Sequence, residues 1–112
     1  MNALVKDPLA WTDVGAIGDV PLRGARRVPT PAGDVAIFKT HDGRLFALRD
    51  SCPHKGGPLS QGLVHGHAVA CPLHNWSIDL ATGRPLGPDR DKGCAPVVPL
   101  RVENGRLLLG TE

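Results

Sequence analysis

Residues 34–49 read Asp34-Val35-Ala36-Ile37-Phe38-Lys39-Thr40-His41-Asp42-Gly43-Arg44-Leu45-Phe46-Ala47-Leu48-Arg49, and this stretch decides the fold class. The runs Asp34–Thr40 and Arg44–Arg49 carry the branched and aromatic residues that fit a pleated, half-buried surface, and Asp42-Gly43 between them is a turn signal. The pattern predicts a β-hairpin with a two-residue turn. Elsewhere 11 prolines, at positions 8, 21, 29, 31, 53, 58, 72, 85, 88, 96 and 99, leave few windows in which a helix runs uninterrupted. A second hairpin is predicted where Pro99–Glu103 and Arg106–Leu109 flank Asn104-Gly105, the strongest short-range turn pair. Short strands are expected at Ala68–Cys71 and at Ser77–Leu80, the latter ending before Thr82-Gly83. The expectation is an all-β chain with long loops.

At 112 residues the chain is too short for two ordinary domains, so residues 1–112 are read as one. Leu, Ile, Val and Phe make up about a quarter of it, above the roughly 20% below which disorder is expected. The longest apolar runs, such as Leu107–Leu109 and Ala68–Cys71, fall far short of the ~20 residues of a membrane helix. The start, Met1 to Pro8, lacks the basic and then apolar segments of a secretory signal, which leads to the expectation of a cytoplasmic protein without a membrane partner. A formal charge of +2 argues against a nucleic-acid partner, and the one local basic cluster, Arg23, Arg26 and Arg27, is expected to be a solvated face.

Three cysteines do not make a disulfide framework, and in a reducing compartment Cys beside His points to metal. Cys52-Pro53-His54 is followed, after 16 residues, by Cys71-Pro72-Leu73-His74, so each of two loops offers one thiolate and one imidazole. Pro53 and Pro72 stiffen the backbone next to each sulfur. Zinc would take all four ligands tetrahedrally, although its finger sites group cysteines in one arm and histidines in a helical other arm. A 2Fe-2S cluster with two cysteines on one iron and two histidines on the other suits mixed arms, because each loop then reaches both irons. Both readings place the site on Cys52, His54, Cys71 and His74.

These loops resemble the Rieske family, whose pattern is Cys-x-His, a spacer of about this length, then Cys-x-x-His. The resemblance runs from about Trp11 to Leu109. It implies the Rieske fold of three small antiparallel sheets, with a cluster-binding lobe, about residues 50–85, inserted in an antiparallel β base domain. It further implies that Cys52 and Cys71 bind the buried iron, and that His54 and His74 bind the outer one. High-potential members add a disulfide cysteine to each loop and give Ser and Tyr hydroxyls to the cluster sulfurs; here those positions hold Gly57, Leu73 and Trp76, and the chain has no Tyr. A low potential is therefore expected. Gly93-Cys94-Ala95-Pro96 matches the family's Pro-containing covering loop, preceded by a longer Leu86–Lys92 stretch. Cys94 is expected to be a small buried residue, His41, His65 and His67 exposed turn histidines, and Trp11 and Trp76 core anchors.

The run from Cys52 to Gly66 and the run from Cys71 to Gly83, with Leu86-Gly87 and the early Trp11, resemble the small subunits of assimilatory NAD(P)H-dependent nitrite reductases. That resemblance implies an oxidoreductase subunit, inactive alone, that transfers electrons within a complex reducing nitrite to ammonium. It also implies a large partner subunit carrying FAD, a 4Fe-4S cluster and sirohaem. Two alternatives stay open: a free Rieske ferredoxin supplying an aromatic-ring dioxygenase, and a scaffold subunit with structural zinc.

Overall fold

The computed structural model describes residues 10–52, 57–72, 76–87 and 93–111. Nine strands follow in order: β1 (Ala10–Ala16), β2 (Gly24–Thr30), β3 (Gly33–Lys39), β4 (Leu45–Arg49), β5 (Leu63–His65), β6 (Ala68–Ala70), β7 (Ser77–Asp79), β8 (Leu100–Glu103) and β9 (Arg106–Thr111). They form three antiparallel three-stranded sheets, ordered β1-β9-β8, β2-β3-β4 and β5-β6-β7. The all-β expectation is met, and both the Ala68 and Ser77 strands form.

The β2-β3-β4 sheet is the middle layer. Strand β3 explains why residues 35–38 are apolar without a break: side chains alternate across a strand, and here both faces are covered. Val35 and Ile37 enter one core with Val28, Ala47, Leu107 and Leu109, against the β1-β9-β8 sheet. Ala36 and Phe38 enter the other, with Leu48, Val64, Val69, Ile78 and Leu80, against the β5-β6-β7 sheet. Each core holds fully buried Leu or Ile side chains, and burial stabilises each by roughly 1.5–3 kcal/mol relative to exposure.

The second predicted hairpin forms as read: Glu103 pairs with Arg106, and Asn104 and Gly105 both take positive φ, 52° and 76°. The first differs from expectation. Lys39 pairs with Leu45, the Thr40 amide bonds the Arg44 carbonyl at 2.9 Å, and the Gly43 amide bonds the Thr40 carbonyl at 3.0 Å. Gly43 (φ +81°) takes the left-handed conformation and Asp42 does not. The result is a three-residue loop, His41–Gly43, in which glycine supplies the bulge after the turn, rather than a two-residue turn.

Strands β1 and β2 had no sequence signal strong enough to anticipate them. Pro29 lies within β2 opposite Asp34, which is tolerated because β2 is an edge strand. The basic cluster is solvated at Arg23 and Arg27, as expected, although Arg27 also donates to the Asp34 carboxylate, while Arg26 is half-buried and donates to the Val14 carbonyl. Cys94 is exposed, contrary to expectation. Its neighbour Ala95 takes the buried position, its amide bonded to the Gly83 carbonyl at 2.7 Å. Trp76 packs against the second core as expected, whereas Trp11 is half-buried on β1 with the Arg101 guanidinium 4.3 Å over its ring.

Candidate metal centre

Two cysteines meet in one core. Cys52 is 2% exposed and Cys71 0%, and both belong to the cluster of apolar side chains between the middle sheet and the β5-β6-β7 sheet. No disulfide forms among the described residues. Each cysteine opens a loop that closes in the same way, with its amide bonded to the carbonyl five residues on: Cys52 to Gly57 and Cys71 to Trp76, each at 2.7 Å. The two loops are thus matched in span and in closure.

They are braced differently. The Cys71 loop is the tip of the β6–β7 hairpin, where Ala70 pairs with Ser77, so strand pairing continues directly into the loop closure. The Cys52 loop has no strand after it. Its outer brace is the side chain of Asp50, only 1% exposed, which accepts the Ser60 amide at 2.7 Å and the Ser60 hydroxyl at 2.6 Å. Arg27 lies 3.6 Å from the same carboxylate and also holds Asp34, while the Asp50 amide bonds the Asp34 carbonyl at 3.0 Å. Asp50 therefore ties the loop to β2 through its carboxylate and to β3 through its amide. Sequence reading missed Asp50 and Ser60; an acid two residues before a ligand cysteine was the available signal.

Of the four ligands expected from sequence, Cys52 and Cys71 are brought into one core, and His54 and His74 lie outside the described residues, as does Leu73. The fit to an iron–sulfur cluster rests on the donors themselves. Two thiols excluded from water, each opening a short closed loop, suit a sulfur-bridged iron pair, which takes cysteines as thiolates. His65 and His67 are exposed as expected, but His67 is not isolated: its Nε2 lies 3.0 Å from Asp42 Oδ2 and its ring stacks on that of His41.

Fold and site together define an iron–sulfur electron carrier built of three small β-sheets. Residues 10–99 match the family model described as the Rieske [2Fe-2S] domain, and the chain belongs to that family. Its cofactor is a Rieske 2Fe-2S cluster. Among curated relatives, the anthranilate 1,2-dioxygenase ferredoxin subunit of Burkholderia cepacia is 35% identical, over 89% of this chain and 86% of its own. The ferredoxin component of the naphthalene 1,2-dioxygenase/salicylate 5-hydroxylase systems of a Ralstonia species is 27% identical, over 91% and 96%. Among solved structures, a Mycobacterium tuberculosis chain assigned as the small subunit of an NADH-dependent nitrite reductase superposes with a TM-score of 0.82 at 26% identity, over 95% of this chain and 98% of that one. No helix among the described residues is long and apolar enough to cross a membrane.

Proposed function

We propose that this chain is the small, electron-transferring subunit of an assimilatory NAD(P)H-dependent nitrite reductase. The observation that carries the reading is the end-to-end likeness to the M. tuberculosis chain assigned to that role, with almost nothing left over on either side. The wording of both ligand loops and of the Leu86-Gly87 segment supports it. The chain acts as one Rieske domain over 1–112, with a cluster lobe at about 50–85. Cys52 and Cys71 hold one iron and His54 and His74 the other, and the bound cluster supplies one-electron transfer. The chain's own residues brace the loops and keep water from the thiols. That partner is a large subunit carrying FAD, a 4Fe-4S cluster and sirohaem, and the small subunit alone reduces nothing.

A tagged chain purified from its own cells, grown on nitrate as sole nitrogen source, tests this. Co-elution of a sirohaem spectrum with NAD(P)H-dependent nitrite consumption is the expected result. A second reading, a free ferredoxin feeding an aromatic-ring dioxygenase, is favoured by the 35% identity to the anthranilate dioxygenase ferredoxin subunit. Recovery of a lone red-brown protein that restores a dioxygenase would replace the first reading with the second. A colourless protein containing zinc, with no paramagnetic signal on reduction, would overturn both.

A further inference from the structure

Besides the four residues expected to hold the cluster, a second group of metal-ligating side chains converges from two different sheets. His41 and Asp42 stand on the three-residue loop between β3 and β4, and His67 follows Gly66 in the turn between β5 and β6. One ligand atom from each of the three lies within 4.8 Å of the others. His67 Nε2 and Asp42 Oδ2 are 3.0 Å apart, and the His41 and His67 rings stack with centroids 5.9 Å apart.

From this convergence we propose that His41, Asp42 and His67 form a binding site for a divalent first-row transition ion of the zinc type. Two imidazoles and a carboxylate are the donors such ions take. Bonds of about 2.0–2.1 Å in a tetrahedron put neighbouring ligand atoms about 3.3 Å apart, so the Nε2–Oδ2 pair is already close to one edge of the polyhedron. The ion takes the place of the hydrogen between His67 Nε2 and Asp42 Oδ2: a neutral His67 then carries its ring proton on Nδ1, and a protonated ring releases one proton to solvent.

The surroundings prepare the ligands without filling the site. The Thr40 hydroxyl donates to Asp42 Oδ1, leaving Oδ2 facing His67. The His67 carbonyl accepts the Leu80 amide at 2.9 Å, which fixes the turn. The opposing feature is Arg44, whose guanidinium lies 3.5 Å from Asp42 Oδ2; its side chain is 66% exposed and free to swing away. An ion held here ties the middle sheet to the sheet that carries the second cysteine loop.

The test uses the tag-free, cluster-loaded protein in a Cys94→Ser background, because the exposed thiol is itself a zinc ligand. Titration with Zn²⁺ against a chelating dye, with the visible cluster spectrum followed throughout, is expected to show one saturable site. His67→Ala and His41→Ala are each expected to weaken it at least about tenfold, the least that even loss of an outer-shell support costs a metal site. His65→Ala, whose ring faces Ser77 at 3.2 Å instead, is expected to leave it unchanged. The proposal is overturned if no saturable binding occurs, or if the double variant His41→Ala/His67→Ala, with its cluster spectrum intact, binds as the parent does.

Discussion

Ser60 donates both its backbone amide and its hydroxyl to the buried carboxylate of Asp50, at 2.7 and 2.6 Å. The pair spans the Cys52 loop from outside, and the Cys52–Gly57 bond closes it from inside. Replacing Asp50 by Ala strands two donors and an arginine. Loss of a buried, charged hydrogen-bond acceptor is expected to cost about 3 kcal/mol. Ser60→Ala keeps the backbone bond and is expected to cost about 1 kcal/mol. Urea denaturation gives the stabilities, and iron and sulfide per chain give the occupancy, which should fall much further in Asp50→Ala. Equal iron content in the two variants would show that the carboxylate does not brace the loop.

Gly83 sits against the segment that bears Ala95. Its φ is +74°, and a Cβ built on it would lie 1.9 Å from the Ala95 carbonyl oxygen. Backbone cannot retreat as a side-chain end can. Gly83→Ala therefore combines left-handed strain with overpacking, and is expected to cost about 3 kcal/mol. Gly43 has similar φ but meets nothing within 4 Å, so Gly43→Ala should show only the strain, about 1–2 kcal/mol. Melting curves of the two variants side by side separate clash from strain.

The strands that were legible are those whose signal is local. Asn104-Gly105 names its own turn, and the unbroken Val35–Phe38 run marks a strand buried on both faces. Strand β1 pairs with β9 across nearly the whole chain, and its residues, with two glycine or alanine positions at its end, gain order from that distant partner rather than from themselves. The cysteine ligands were legible from spacing because metal chemistry dictates residue type. Asp50 and Ser60 were not, since a brace is defined by ten intervening residues folding back. Nor was the meeting of His41 with His67, which depends on how two sheets stack. Cys94 was misjudged because in an extended segment one of two neighbours faces inward, and residue type alone does not say whether Cys94 or Ala95 does.

Arg106 grips Asp13 through two bonds, Nε to Oδ2 and Nη2 to Oδ1, each 3.0 Å. The Arg106 side chain, and then the Gly15 amide, hold the Asp13 carboxyl below its ordinary value of 3.8. A carboxyl with a depressed folded-state pKa contributes stability that is present above its unfolded value and lost as pH falls through the folded one. The difference in melting temperature between the parent and Asp13→Asn is expected to be constant from neutral pH down to about 4, then to shrink. A difference that stays constant through pH 2 would mean that the ion pair adds nothing to the β1–β9 pairing.

The hydroxyl donors that raise the potential of some Rieske clusters have no counterpart in the described loops. Trp76 stands where such a Ser would, and it packs into the core while its carbonyl closes the Cys71 loop. Fewer hydrogen bonds to sulfur leave the added negative charge of the reduced cluster less stabilised. The midpoint potential is expected toward the low end of the roughly −150 to +300 mV range, suited to electrons arriving from a flavin or NAD(P)H chain. With His54 and His74 as ligands, the oxidised form, being more positive, loses an imidazole proton more readily. The potential should therefore fall as pH rises into the alkaline range, and His74→Ala should abolish the cluster. Voltammetry across pH checks the potential and its slope, and iron and sulfide per chain check His74→Ala: a value above about +150 mV would refute the hydrogen-bond argument, and a flat response at alkaline pH, or a His74→Ala variant that keeps its cluster, would overturn the histidine ligation.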